Sequence, residues 1–225
     1  MQRHPLRIHW IALAVLSVLV LAGTFAARVS SSPAIATLAL TKDGTARVSV
    51  FRLLPDAARV SIEFERARGQ ERPELGSFVS KSGSGWIEFS SPGAPVIVQV
   101  RGPESAAEYE ALPATAYGAQ HISRDLVVRG GDGNPHRFVW PPDNAARPVL
   151  PAGWSTLEFS VVEVGAPLAD QVVQVVVEPP LSFKSSIPGY GFLWWFFFWP
   201  ILAFPLACYG AYLAWRTWGL RRRRT

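Results

Sequence analysis

The sequence predicts an all-β domain, an antiparallel sandwich, set between two transmembrane α-helices. Three observations carry this reading. Uncharged apolar runs occupy both ends of the 225-residue chain. Between them, short stretches alternate apolar and polar side chains and are punctuated by Gly- and Pro-rich turns. The positive charge excess lies entirely outside that middle region. The formal net charge is +5, yet residues 28–189 hold 15 Lys and Arg against 17 Asp and Glu. The other seven basic residues, Arg3, Arg7, Arg216, Arg221, Arg222, Arg223 and Arg224, are terminal. Such charge reports membrane orientation, because Lys and Arg stay on the cytoplasmic side. A nucleic-acid interface needs basic residues gathered on the folded body, so nucleic acid is not expected as a partner.

Residues 1–7 form a basic, cytoplasmic N-terminus, and the uncharged run 8–27 follows as the first transmembrane helix. A secretory signal has a similar basic start, but its apolar core is usually about 7–15 residues long. The longer run here favours an uncleaved anchor, with cleavage after Thr24-Phe25-Ala26 as the alternative. In either case the chain is exported from residue 28 onward.

The exported part reads as β-structure. In ARVSIEFERA, Val60, Ile62 and Phe64 point one way, while Arg59, Ser61, Glu63 and Glu65 point the other. In STLEFSVVEV, Leu157, Phe159 and Val161 alternate with Thr156, Glu158 and Ser160. Further strands are predicted over 34–41, 45–51, 85–90, 94–100, 119–128, 136–140 and 170–178. Lys42-Asp43-Gly44, Gly83-Ser84-Gly85, Gly131-Asp132-Gly133 and Pro151-Ala152-Gly153 supply turns. The stretch PESAAEYEAL, 103–112, is the one predicted helix. This domain spans 28–178. It contains no cysteine and no Asn-x-Ser/Thr glycosylation acceptor. Together these absences favour a bacterial periplasm.

Residues 179–189 read as a linker. Between Lys184 and Arg216 lie 31 residues without a charge, where about 20 apolar residues suffice to cross the hydrocarbon. Tyr190, Trp194 and Trp195 at one end, and Tyr212, Trp215 and Trp218 at the other, suit the two headgroup levels. The second transmembrane helix is therefore placed at 190–217, with kinks expected at Pro200 and Pro205. The tail 218–225 returns to the cytoplasm, so both termini lie inside the bacterial inner membrane. Within this helix Ala203, Ala207, Gly210 and Ala214 are spaced to share one face. Small residues there let a neighbouring helix approach closely, and Ala22 and Ala26 offer a matching pair in the first helix.

The closing stretch of the domain, LPAGWSTLEFSVVEVGAPLADQVVQVVVEP, resembles the end of an immunoglobulin-like or fibronectin-like β-sandwich. Such domains carry a Leu-x-Pro-Gly-aromatic turn before a strand, then a hairpin to the last strand. Leu150-Pro151-Ala152-Gly153-Trp154 departs from it by an inserted Ala and by Trp for Tyr. The resemblance implies an architecture and names no ligand.

A search for chemistry finds little. His121 and His136 both fall on predicted strands without a Cys or carboxylate cluster to complete a metal site. Asp132 stands alone in a Gly-rich turn, whereas a calcium loop needs several acids. No Gly-x-Ser-x-Gly elbow and no phosphate loop occur. Glu63 and Glu65 share a strand face in the manner of paired glycosidase acids, but beside Arg66 and Arg68 they read as surface ion pairs. No cofactor and no catalysis are expected. The expected function is a non-enzymatic assembly, scaffold or accessory subunit of an envelope membrane complex. Its partners are membrane lipids and other membrane or periplasmic proteins. The alternative is a membrane-tethered module that binds a glycan or peptide. Exposed rings at Trp86, Trp140 or Trp154 would favour it, although burial in the core is the simpler reading of these residues.

Overall fold

Apolar–polar alternation becomes strand pairing along most of the middle of the chain. The computed structural model describes residues 4–67, 69–77, 86–89, 91–129, 137–139, 147–182 and 189–222. Two compact units result, one of Met1–Ser31 with Leu181–Thr225 and one of Ser32–Pro180. The first holds the helices α1 (His4–Ser30) and α2 (Trp199–Arg222), with a 3₁₀ segment at Gly191–Phe198. The second holds β1 (Ala34–Ala39), β2 (Thr45–Arg52), β3 (Asp56–Ala57), β4 (Val60–Glu65) and β5 (Trp86–Glu88). After these come β6 (Val96–Arg101), β7 (Ala106–Ala111), β8 (Ala116–Tyr117), β9 (His121–Val128) and β10 (Arg137–Val139), then β11 (Val149–Leu150), β12 (Gly153–Val164) and β13 (Val172–Val177).

Each pairing is antiparallel. The main path runs β1-β13-β4-β9-β7-β6-β12-β2, with β8 added to β9, while β5/β10 and β3/β11 form two-stranded ribbons. The ends of the path, β1 and β2, lie against each other, so the sheet is nearly closed. It does not divide cleanly into the two sheets of the predicted sandwich. The reason is β9: His121–Asp125 pair with β4 and Leu126–Val128 pair with β7, so one strand belongs to both halves. Inside lie the residues that alternation points inward, among them Val60, Ile62, Phe64, Leu157, Phe159 and Val161.

The predicted helix over 103–112 is instead the strand β7. Its inward positions are Tyr109 and Ala111, both buried, while Glu108 and Glu110 face away from the core. A turn closed by Gly102 N–H donating to Ser105 O at 2.8 Å hands the chain from β6 to β7. Pairing with β6 and β9 thus overrides the helix-favouring composition of AAEYEA.

At the centre of β9 an arginine occupies an inward position. Arg124 is 1% exposed. Its Nε donates to Leu112 O at 2.6 Å, Nη1 to Ala94 O at 2.8 Å and Nη2 to Ala111 O at 2.8 Å. Burial pushes its pKa down to about 10, against the pull of Glu110, so it stays charged at neutral pH. The loop that presents Ala94 is itself fixed by a backbone crossing. Gly76 and Gly93 both have positive φ, 75° and 73°, and a Cβ on Gly93 would lie 2.6 Å from Gly76 N. No other residue fits there.

Arg124→Met is expected to leave three buried carbonyls short of a donor. At about 1–3 kcal/mol for each such group, the loss is about 3 kcal/mol or more. Urea denaturation of a 32–180 fragment checks this. The parent fragment is expected to give a β-type circular dichroism spectrum and a cooperative melt that reductant does not alter, since the chain's single cysteine, Cys208, lies outside it.

Candidate functional site

The helical unit is built from two segments, Leu6–Ser30 and Gly191–Gly219, that are long and apolar enough to cross a membrane. Pro200 sits in the first turn of α2, where the missing N–H costs nothing, and Pro205 lies inside the helix. Thr24 and Thr217 satisfy their hydroxyls within their own helices, donating to Val20 O at 2.8 Å and to Leu213 O at 2.6 Å.

The helices pack antiparallel. Tyr209 Oη lies 2.7 Å from His9 Nδ1, and Trp10 Nε1 donates to Thr217 Oγ1 at 3.4 Å. Farther along, Gly210 meets Leu13, whose Cδ2 would be 3.3 Å from an added Cβ. Gly23 lies so close to Phe196 that an added Cβ would collide with its ring. Beyond this contact Ala27, Leu181, Tyr190 and Leu193 form a small buried cluster. The less exposed residues of α1 include Leu13, Ser17, Val20, Thr24 and Ala27, and those of α2 include Leu202, Leu206, Tyr209 and Leu213. Both sets follow the alternating four- and three-residue spacing of helices that pack at a shallow angle.

The small residues singled out in the sequence are divided by this geometry. Gly210 and Ala203 are half-buried on the side of α2 that meets α1, whereas Ala207 and Ala214 are exposed. In α1, Ala26 packs against the Tyr190 cluster and Ala22 is exposed. Sequence reasoning missed Gly23, and it missed Ser17, which the spacing from Leu13 would have found. Of the orientation residues, Arg7 and Arg216 are exposed and Arg222 stacks over Trp218 at 4.1 Å. Arg3, Arg223, Arg224 and the side chain of Arg221 lie outside the described residues.

Besides Arg124, two features of the β unit stand out among the described residues. One is an open groove of about 640 Å³ lined by Arg66, Ala67, Gly69, Gly118, Ala119 and Gln120, which among the described residues presents a cation but no acid or nucleophile. His121 follows it on β9, with Nδ1 buried and without a hydrogen-bond partner among the described residues. Among those residues no group of three or more His, Cys, Asp or Glu could hold a metal ion. His136, Asp132 and Trp140 lie outside the described residues, as does the side chain of Trp86. Glu63 accepts a hydrogen bond from Ser123 Oγ at 3.3 Å, and Arg66 Nε donates to Gln70 O at 2.8 Å, not to a neighbouring glutamate. Trp154 is not in the core. It is 77% exposed and tilted against Phe51 on the facing strand, with ring centroids 5.3 Å apart.

The other feature is a charged cluster where β13 ends. Arg52 and Asp56 are buried and paired at 3.0 Å, and Arg52 Nη2 also donates to Glu178 O at 2.8 Å. Burial pushes the Asp56 carboxyl up, and Arg52 pulls it partly back. Beside them Arg59 lies 3.7 Å from Glu178 and 3.8 Å from Asp125. Glu178 is also raised, by burial first and against the pull of Arg59. The cluster has the form of a structural clasp at the chain's exit from the sheet. Comparison of the chain with family models, curated proteins and solved structures gives no match in any of the three.

Because Glu178 binds its proton more tightly when folded, its contribution favours the folded state at low pH and fades as pH rises through its folded pKa. The stability difference between the parent chain and Glu178→Gln is therefore expected to shift toward the parent between pH 7 and pH 5, as read by urea midpoints. Asp56→Asn, which leaves Arg52 buried and unpaired, is expected to cost about 3–5 kcal/mol. The double change Arg52→Met with Asp56→Leu should recover most of that loss in the same measurement.

Proposed function

We propose that this protein is a two-span subunit of a bacterial inner-membrane complex, a non-enzymatic scaffold or accessory component whose β domain stands in the periplasm. The observation that carries this reading is the helix pair. Its two members fasten to each other through Gly210, Gly23 and the Tyr209–His9 contact, and still leave small side chains, Ala207 and Ala214, on an uncovered side of α2. Small residues at such positions allow another helix to approach. The basic termini favour an arrangement with both ends in the cytoplasm. In this reading the nearly closed sheet is an immunoglobulin-like sandwich whose halves are joined through β9.

A second reading, a tethered module for a glycan or peptide, is favoured by the exposed Trp154 ring beside Phe51.

Two leucine variants separate the roles of α2. Ala207→Leu with Ala214→Leu is expected to release co-purifying membrane partners while leaving the α1–α2 pair intact. Gly210→Leu is expected to loosen the pair itself. A good helix contact in lipid is worth about 1–2 kcal/mol, so partner recovery should fall several-fold. Full recovery of every partner from the Ala207/Ala214 variant would count against the scaffold reading. Reporter fusions at residues 7 and 219 should signal from the cytoplasm, and one at Gly131 from outside. A cytoplasmic signal at Gly131 would overturn the topology.

A further inference from the structure

The β domain has a distinct end from which both connections to the helices leave. β1 begins there and β13 finishes there, since Ala34 pairs with Val177, and β4 starts beside them at Val60. β2 ends at the same level, because Arg52 reaches the carbonyl of Glu178. To reach that level β2 and β12 run as a ribbon past the last residue of β6, Arg101, which pairs with Glu158. The five positions from Gly153 to Leu157 carry it about 17 Å beyond β6, to the level of Arg52. At the tip, Leu53, Leu54, Val149 and Trp154 are 37%, 41%, 41% and 77% exposed. The opposite end of the domain turns through Lys42, Asp43 and Asp170, all exposed.

We propose that this apolar corner sits in the headgroup layer of the membrane. The inference rests on the two-span reading above, and the chain itself argues for it. Only residues 31–33 separate the end of α1 from β1, and four extended residue steps span at most about 14 Å. The end that carries the corner is thereby held within reach of the lipid surface. Two leucines, a valine and a tryptophan left in water at one end of the domain cost free energy that burial in the interface recovers, and tryptophan prefers that layer. The amphipathic indole also explains why an aromatic side chain stands on the outer face of a strand next to a charged clasp.

The test uses the full chain in phosphatidylcholine–phosphatidylglycerol vesicles, with an environment-sensitive fluorophore on one cysteine at a time. Cys208, the native thiol within α2, reports the span itself and is expected to lose emission to a nitroxide carried near mid-bilayer. In a Cys208→Ser background, Leu54→Cys is expected to show blue-shifted emission, quenched by a nitroxide at headgroup depth, and Asp43→Cys to show neither. Adding Leu53→Asp and Trp154→Asp should abolish quenching at residue 54, with circular dichroism confirming that the domain still folds. Quenching of Cys208 without quenching at residue 54 overturns the proposal alone and returns Trp154 to the sugar-stacking reading. An unquenched Cys208 overturns the two-span reading and this inference together. Equal quenching at residues 43 and 54 also overturns the proposal, because the corner would then have no preference for lipid.

Discussion

Arg124 places a guanidinium where the alternation of β9 asks for an apolar side chain, and the surrounding backbone is arranged to satisfy it. Burying a charge costs several kcal/mol unless its hydrogen bonds are met. Here they are met by carbonyls of Ala94, Ala111 and Leu112, which lie in or beside segments where the strand ladder is running out. Those same carbonyls would be costly if left dry. One side chain thus settles two problems at once. It also does so beside the point where β9 changes partners, between Asp125 and Leu126. A strand that passes from one half of a sheet to the other must give up regular pairing on one side, and Arg124 supplies donors where the pairing stops. The glycine crossing at Gly76 and Gly93 follows from this, because Ala94 must be brought inward to be reached.

Much of the architecture was legible because alternation is a direct record of which side chains face the core. β1, β2, β4, β6, β9, β12 and β13 all fall within a residue or two of the predicted stretches. The failures have physical causes. In β7 the residues Ala106, Ala107, Glu108, Glu110 and Ala111 favour a helix locally, and only pairing with β6 and β9 makes the segment extended. Two-residue strands such as β3, β8 and β11 carry too short a pattern to be read at all. Closure of the sheet is a matter of which strands meet, and alternation within each strand says nothing of it. Trp154 was misjudged for a related reason. Aromatic rings are usually buried, but the parity of β12, in which Leu157 and Phe159 point inward, places residue 154 on the outer face.

The two buried arginine systems divide the domain's work. Arg124 organises its middle, whereas Arg52, with Asp56, Glu178 and Arg59, fastens the place where β13 gives way to the connection toward α2. A strand end that leads out of a sheet is prone to fraying. Tying the last strand to β2 and β3 through a buried guanidinium resists it. Ion pairs seldom add much net stability when buried, but they fix one arrangement over others because a misplaced partner is left unpaired. Register at the exit is what such a clasp protects.

The helix pair shows how a small-residue pattern differs from a packing face. Ala203, Ala207, Gly210 and Ala214 share a stripe by spacing, yet which side of that stripe meets α1 is decided by bulk on the partner. Leu13 fills the gap over Gly210, and Phe196 fills the gap over Gly23. The less exposed residues on the two helices, Leu202, Leu206 and Leu213 on α2 and Leu13, Val20 and Thr24 on α1, are mostly larger ones, with the glycines as relief points. Once α1 is seated there, it leaves Ala207 and Ala214 uncovered on α2. In water an exposed alanine is unremarked surface. In lipid, where apolar burial gives helices no reason to associate, close backbone approach is one of the few sources of attraction left. The same two alanines therefore carry information only if the medium around them is a bilayer, and that ties the function of α2 to the membrane reading of the whole chain.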